Sequence, residues 1–384
     1  MKKKIYIIIT YLFIFFNSNL LSNENNNSLK IGLLAPLSGQ YKELGNSMLH
    51  SLQLALNEIG DKNVSIIPQD SGSDDKKKLN NAVQELKSKG VNIVIGPINY
   101  SDFDEVKKFN DITFISPSNI NPQFQQNIIS IGISFESQIF ALIKFIKKQK
   151  KNKTVILIPE NEYTNMIENK LDKLEFKNYR IFKYNPDPKV LTGEIEILTN
   201  YSQRKKNLTL RKKLFEDKED EQSKRQLEKL EQKYTLGDVN FDSVIIIDFG
   251  NSLKSVLTSL VFTDVDQRKV LFTTVNQWFD ESIFYENSVK KLYYPSVNYK
   301  EFKKYKESYF KTFKSFPGEI SILAYDALGL IYYVWKKNGK INSVNDFSFK
   351  GKIRGKIGTF SFQNKKITQD LDIYKTQNNK FIKF

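Results

Sequence analysis

Four short apolar runs in this chain each end at a proline. Ile31–Ala35 leads into Pro36, Ile93–Ile95 with Gly96 into Pro97, Thr113–Ser116 into Pro117, and Val155–Ile158 into Pro159. Proline has no N–H and cannot continue a central strand. Each run is therefore expected to be a strand that stops at its carboxyl end and opens a loop. The runs are continuous rather than alternating, which marks strands buried on both faces of a parallel sheet. Helical patterns lie between them. Leu44, Met48, Leu52, Ala55, Leu56 and Ile59 recur at spacings of three and four, as do Leu79, Val83 and Leu86. Another strand is expected at residues 65–68. Ligands of open α/β sheets bind outside the carboxyl ends of the strands. The loops behind Pro36, Pro97, Pro117 and Pro159 are thus the first place to expect a site.

A second α/β unit begins near Glu136. Its strands are expected at 155–158, 180–184, 244–247 and 270–273, with helices between them and further helices at 299–313 and 320–335. The tail alternates at 357–362 and 371–374 and reads as a hairpin. Residues 203–233 break the rhythm, with eleven Lys/Arg and seven Asp/Glu among 31 residues. They read as an exposed, charge-laced helix or helical hairpin inserted into the second unit, either a partner surface or a solvated face.

At 384 residues the chain has room for two to three domains. Hydrophobic residues make up 40% and charged residues 27%, which argues against a disordered or multi-span membrane chain. The net charge is +16, from 59 Lys/Arg and 43 Asp/Glu. The lysines are spread among acids rather than gathered in a stripe, so no nucleic-acid partner is expected. The absence of cysteine excludes disulfides, thiolate metal sites, a cysteine nucleophile and a lipid-anchoring cysteine. With His50 the only histidine, no histidine-built metal site is expected.

The amino terminus pairs a basic start, Lys2-Lys3-Lys4, with the apolar run Ile5–Phe16. About twenty apolar residues are needed to span a bilayer, so this run fits the core of a signal peptide better than a permanent anchor. Residues 1–22 are expected to be that signal and 23–28 a polar tether. The mature chain is expected to be periplasmic, without a stable membrane span and not a lipoprotein.

The segment Ile31-Gly32-Leu33-Leu34-Ala35-Pro36-Leu37-Ser38-Gly39, with Tyr41 and Gly45 behind it, resembles the start of a type I periplasmic binding protein of the leucine/isoleucine/valine-binding branch. Asp70-Ser71-Gly72-Ser73, Ile95-Gly96-Pro97 with Ser101, Ile115-Ser116-Pro117-Ser118-Asn119 with Asn121-Pro122, and Tyr325-Asp326-Ala327 match later landmarks in order. The resemblance implies a two-lobed α/β fold, each lobe a mostly parallel sheet flanked by helices. Lobe 1 would comprise 29–134 plus 276–345, and lobe 2 would comprise 135–275 plus 346–384, with crossovers near 135, 275 and 346. A narrower likeness, carried by the charged insert, Leu236-Gly237 and Phe241-Asp242-Ser243-Val244, is to alphaproteobacterial penicillin-binding-protein activators.

In such a fold the resemblance implies a small solute held between the lobes. Uncharged donors can satisfy an anion without a buried counter-charge. The candidates for a carboxylate are Ser38, Ser101, Ser118 and Asn119. In the second lobe Tyr163 would stack on the solute or donate to it, Asp248 would pair with an ammonium, and Trp278 would form an apolar wall. Serine and asparagine also serve ordinary loops, and Asp248 is equally placed to cap the next helix. The stretch Gly351–Gly358 lacks the spacing of a phosphate loop, and no nucleophile-elbow, zinc-protease or nucleotide-loop motif occurs. No catalysis, cofactor or metal is expected. The leading expectation is capture of an amino-acid-like solute for an ABC importer. The alternative is regulation of a peptidoglycan synthase by the same fold.

Overall fold

A computed structural model describes residues 28–119, 126–174, 176, 178–285, 290–348, 351–356, 358–363 and 366–384. The expected signal peptide and the Asn121-Pro122 landmark lie outside them. Among the described residues, no helix is long and apolar enough to cross a membrane.

The first sheet contains β1 (Leu29–Ala35), β2 (Val64–Asp70), β3 (Ile93–Ile95), β4 (Thr113–Ser116) and β5 (Ile128–Ser130), all parallel, in the order β2-β1-β3-β4-β5. Pro36 and Pro117 follow their strands directly and Pro97 follows Gly96, as the chain punctuation predicts, whereas Pro159 is itself the last residue of its strand, Thr154–Pro159. Successive side chains of a strand point to opposite faces, and the core divides accordingly. Ile31, Leu33, Ile93, Ile95, Ile115 and Ile129 pack on one side, with α1 (Lys42–Ile59) and α11 (Ser321–Asn338). Leu34, Val94, Phe114 and Ile128 pack on the other, with α2 (Lys76–Ser88) and α3 (Phe103–Val106). The start of α2 is fixed by Asp75, whose side chain accepts from the Lys78 N–H at 3.0 Å. Gly45 is required where α1 passes the end of β1, because a Cβ there would lie 2.0 Å from the Pro36 oxygen.

The second sheet is seven-stranded, in the order β15-β14-β10-β9-β8-β6-β7. Its parallel part is β6 (Thr154–Pro159), β7 (Tyr179–Tyr184), β8 (Ser243–Ile246), β9 (Leu271–Thr274) and β10 (Leu292–Ser296). β14 (Asp372–Gln377) and β15 (Lys380–Lys383) add to it antiparallel. Ile156, Ile158, Ile245 and Ile247 face α4 (Phe135–Lys148) and α5 (Thr164–Asp172). Val155, Leu157, Val244 and Ile246 share the other core with α6 (Pro188–Leu198) and α9 (Gly250–Phe262). The charged insert is a helical hairpin, α7 (Tyr201–Glu216) and α8 (Glu221–Glu231). The remaining helix, α10 (Tyr299–Phe313), packs toward α1: Tyr305 and Tyr309 hydrogen-bond Ser51 and His50.

Two expectations need correction. β10 lies in the second sheet, so residues 276–296 do not belong with the first lobe, and the crossover falls between β10 and α10 rather than near 275. Its sequence, Leu-Tyr-Tyr-Pro-Ser, lacks the continuous apolar run that announces the other parallel strands. The tail is not one hairpin. Thr359–Gln363 (β12) pairs with Lys366–Asp370 (β13) and with Lys352–Arg354 (β11) in a separate three-stranded antiparallel sheet, while β14 pairs with β15. Alternation shows that a segment is a strand but does not name its partner.

Candidate functional site

The carboxyl ends of β1, β3 and β4 carry the first-lobe candidates. Ser38 is half-buried and its hydroxyl accepts from Lys78 Nζ at 2.8 Å. The same ammonium donates to Asp70 Oδ2 at 2.6 Å, and Asp70 Oδ1 accepts the N–H groups of Leu37 and Gly72, both at 2.9 Å. Burial alone would raise the Asp70 carboxyl. Hydrogen bonds from Lys78, Ser38, Gly72 and Leu37 outweigh it and hold the group well below the usual carboxylate range. Ser38 thus belongs to a staple that joins the loops after β1 and β2.

The loops after β3 and β4 are stapled by Ser116, whose hydroxyl donates to the Pro97 oxygen at 2.6 Å and accepts from Ser118 N at 3.1 Å. Ser118 is buried; Ser101 and Asn119 are exposed. Beside Ser101 stands a group that sequence reasoning missed. The Asp102 carboxyl is pushed up to about 6, chiefly by burial and then by the charges of Asp74 and Glu105, against the lowering effect of Lys76. An acid in a one-turn helix gives no sign of this, because Asp74 and Lys76 are brought beside it from the start of α2 and the residues just before it.

In the second lobe, Tyr163 is half-buried at the start of α5, where its N–H donates to Asn161 Oδ1 at 2.9 Å. Its phenol is raised by a hydrogen bond with Glu162, by burial, and in part by Tyr100 of the first lobe. Asp248 stands at the end of β8, but its carboxylate is engaged within its own lobe. Oδ2 accepts from Tyr184 Oη and Ser252 Oγ, each at 2.5 Å, and Oδ1 accepts from Phe249 N at 2.8 Å. Burial and the adjacent Asp248 raise the Tyr184 phenol far above its ordinary value. The start of α9 has Phe249 as its N-cap with no side-chain cap bond, so Asp248 joins Tyr184 to Ser252 rather than capping the helix. Trp278 has a left-handed backbone, φ 49°, and its ring lies 6.1 Å from Phe302 of α10. It packs at the junction of β9 and α10.

The structure therefore places Ser101, Asn119 and Tyr163 as exposed or half-exposed groups at strand ends, and engages Ser38 and Asp248 internally. Among the described residues, five of the cavities, of about 10 to 460 Å³, are lined by residues other than the seven candidates. His50 packs flat on Phe313 at 4.1 Å and bonds Tyr309 Oη at 2.9 Å; burial lowers its pKa. Gly351–Gly358 leads into β11 and β12 rather than into a helix.

Residues 28–166 match the family profile described as periplasmic binding protein. The two mostly parallel sheets, linked by chain that crosses between them, extend well past that segment. The chain has the type I periplasmic binding fold. Solved structures of this fold align along nearly all of it. The branched-chain amino acid transporter substrate-binding protein LivJ from Streptococcus pneumoniae, in complex with isoleucine, is 17% identical with a TM-score of 0.55, covering 93% of this chain and 100% of that one. The C-domain of LpoA from Haemophilus influenzae, a regulator of PBP1A, is 13% identical with a TM-score of 0.60, covering 92% and 99%. A branched-chain amino acid ABC transporter periplasmic ligand-binding protein from Burkholderia xenovorans is 9% identical with a TM-score of 0.65, covering 93% and 94%. At these identities the likeness is one of fold. No curated protein sequence matches the chain.

Proposed function

We propose that this chain is a non-catalytic periplasmic binding protein whose two lobes close on a small carboxylate-bearing solute, amino acids among them, for delivery to an ABC importer. One observation carries the reading. Ser101 and Asn119 stand exposed on the loops that follow β3 and β4, and Tyr163 of the other lobe stands half-buried at the start of α5. Two uncharged donors on one lobe and a phenol on the other suit a solute carboxylate closed between them. The carboxylate of Asp248 already accepts from Tyr184, Ser252 and Phe249 N, which supports a reading built on the solute's carboxylate rather than on an ammonium.

A second reading is regulation of a peptidoglycan synthase by protein contact. It is favoured by α7, which exposes Lys205, Lys206, Arg211, Lys213, Leu210 and Leu214.

The deciding experiment is a thermal-shift screen of the mature protein against amino acids and other small carboxylates. A ligand at a hundred times its Kd stabilises by about 2.7 kcal/mol. A saturable shift that is lost in Ser101→Ala or Tyr163→Ala supports the solute reading. No shift across the panel, from a folded and ligand-free sample, refutes it. The second reading then stands or falls on whether a purified peptidoglycan synthase is retained by the protein and released when residues 203–233 are removed.

A further inference from the structure

The three-stranded sheet has no place in the strand-helix rhythm of either lobe, and one of its residues is spent entirely on the hinge. Gln369 of β13 is buried. Its Nε2 donates to Ile131 O at 3.1 Å and to Gly132 O at 2.7 Å, and its Oε1 accepts from Ser134 N at 3.2 Å. Its backbone N–H donates to Ser137 Oγ at 3.1 Å. Residues 131–134 are the crossover from β5 of the first lobe to α4 of the second.

The same crossover touches the candidate binding loop. Gly132 is packed so closely that a Cβ there would lie 2.3 Å from the carbonyl carbon and oxygen of Ser118 and 2.4 Å from Asn119 N. The crossover is thus held between Gln369 and the backbone of Ser118–Asn119. A buried relay continues to the next crossover. Gln138 Nε2 donates to Ile133 O at 3.1 Å, Gln138 Oε1 accepts from Asn276 N at 2.8 Å, and Asn276 Oδ1 accepts from Ser296 Oγ at 2.7 Å. Ser296 ends β10, immediately before the chain returns to α10.

We infer that Gln369 is a positioning residue that couples the Ser118–Asn119 loop to the angle between the lobes. Any rotation about residues 131–134 must turn the Ile131 and Gly132 carbonyls. Gln369 holds both of them, together with the Ser134 N–H, in one arrangement. Buried polar groups have no water to substitute for lost partners, so the crossover is held in discrete states rather than over a continuum. A group seated against Ser118–Asn119 presses on Gly132, and through it on the residues Gln369 holds. The ligand half of this inference rests on the solute reading above; the hinge half does not.

The chain has no cysteine, so a donor–acceptor dye pair can be placed specifically with Lys77→Cys on α2 and Ile197→Cys on α6. Gln369→Met keeps the length of the side chain and removes its donors and acceptor. Thr368→Ala, in the same strand but on the exposed Ser361 contact, is the control. Gln369→Met is expected to shift or broaden the inter-dye distance distribution of the folded protein, and Thr368→Ala is expected not to. For a carboxylate that binds the parent protein, Gln369→Met should weaken binding about tenfold, the equivalent of 1.4 kcal/mol. If no carboxylate binds, the solute reading fails and the distance distribution alone decides. A lower Tm with an unchanged distribution would assign Gln369 a merely structural role and overturn the inference. If Gln369→Met does not fold, Gln369→Glu, which keeps the acceptor and loses the donors, is read by the same two measurements.

Discussion

Arg204 lies in a segment with eleven basic residues, yet it is the one turned inward, with 6% of its surface exposed. Its Nε donates to Gly237 O at 3.0 Å, Nη1 to Thr263 O at 3.0 Å, and Nη2 to Thr235 Oγ1 and Asp264 O at 2.8 Å. These four acceptors come from two loops of the second lobe, so the guanidinium fixes the α7–α8 hairpin to both. In Arg204→Met the carbonyl of buried Thr263 and those of exposed Gly237 and half-buried Asp264 lose a charged donor. A hydrogen bond to a charged group contributes about 1.5–3 kcal/mol. With solvent able to replace the donor at two of the three carbonyls, the expected loss is about 1.5–3 kcal/mol. Arg204→Lys brings three donors on a point charge, too few for four acceptors, and should fall between. Urea unfolding followed by circular dichroism measures the loss. Arginine stays protonated throughout the ordinary pH range, so the loss should be equal at pH 6 and pH 9. A cost under about 1 kcal/mol for Arg204→Met, within the range of a surface substitution, would refute the reasoning.

Two carboxylates of the same site should respond to acid in opposite directions. Asp102, raised to about 6 from an ordinary 3.8, is held more readily when protonated. Stability should fall as pH rises from about 4 to 6, by about 1 kcal/mol after allowing for partial exposure, and Asp102→Asn should remove that slope in urea titrations. Asp70 is depressed, so its contribution is present above its unfolded value and is lost as pH falls from about 4 downward. Asp70→Asn should lower stability at neutral pH and flatten the acid limb. Gly45→Ala forces a Cβ to within 2.0 Å of the Pro36 oxygen. It should cost about 1–3 kcal/mol in the same assay, the range for overpacking.

What could be read from the sequence depended on how local its cause was. β1, β3, β4 and β6 were legible because a continuous apolar run and a proline at or just past its end sit next to one another in the chain. The helical hairpin was legible from its charge density. β5 has only three residues and β10 carries two tyrosines and a proline, so neither announces itself. The site was less legible. Asp248 stands where an ammonium partner would be expected, but Tyr184, which engages it, is 64 residues away. Ser38 resembles a free loop hydroxyl until Lys78 and Asp70 are brought beside it. Gln369 and Arg204 are ordinary polar residues in their own segments. Only tertiary packing gives them carbonyls to hold, and no spacing rule encodes that.

The interleaving of the chain between the sheets has a bearing on how the protein is made. The first sheet is complete once Ser130 has emerged, but one of its apolar faces waits for α11 at Ser321–Asn338. Neither lobe is an uninterrupted stretch of chain, so each must wait for a segment that is made after part of the other. The first would finish earlier. The second stays open along β10 until the last two strands arrive, leaving a bare sheet edge of the kind that invites wrong partners. Guarding that edge is a task for the interval between emergence and completion.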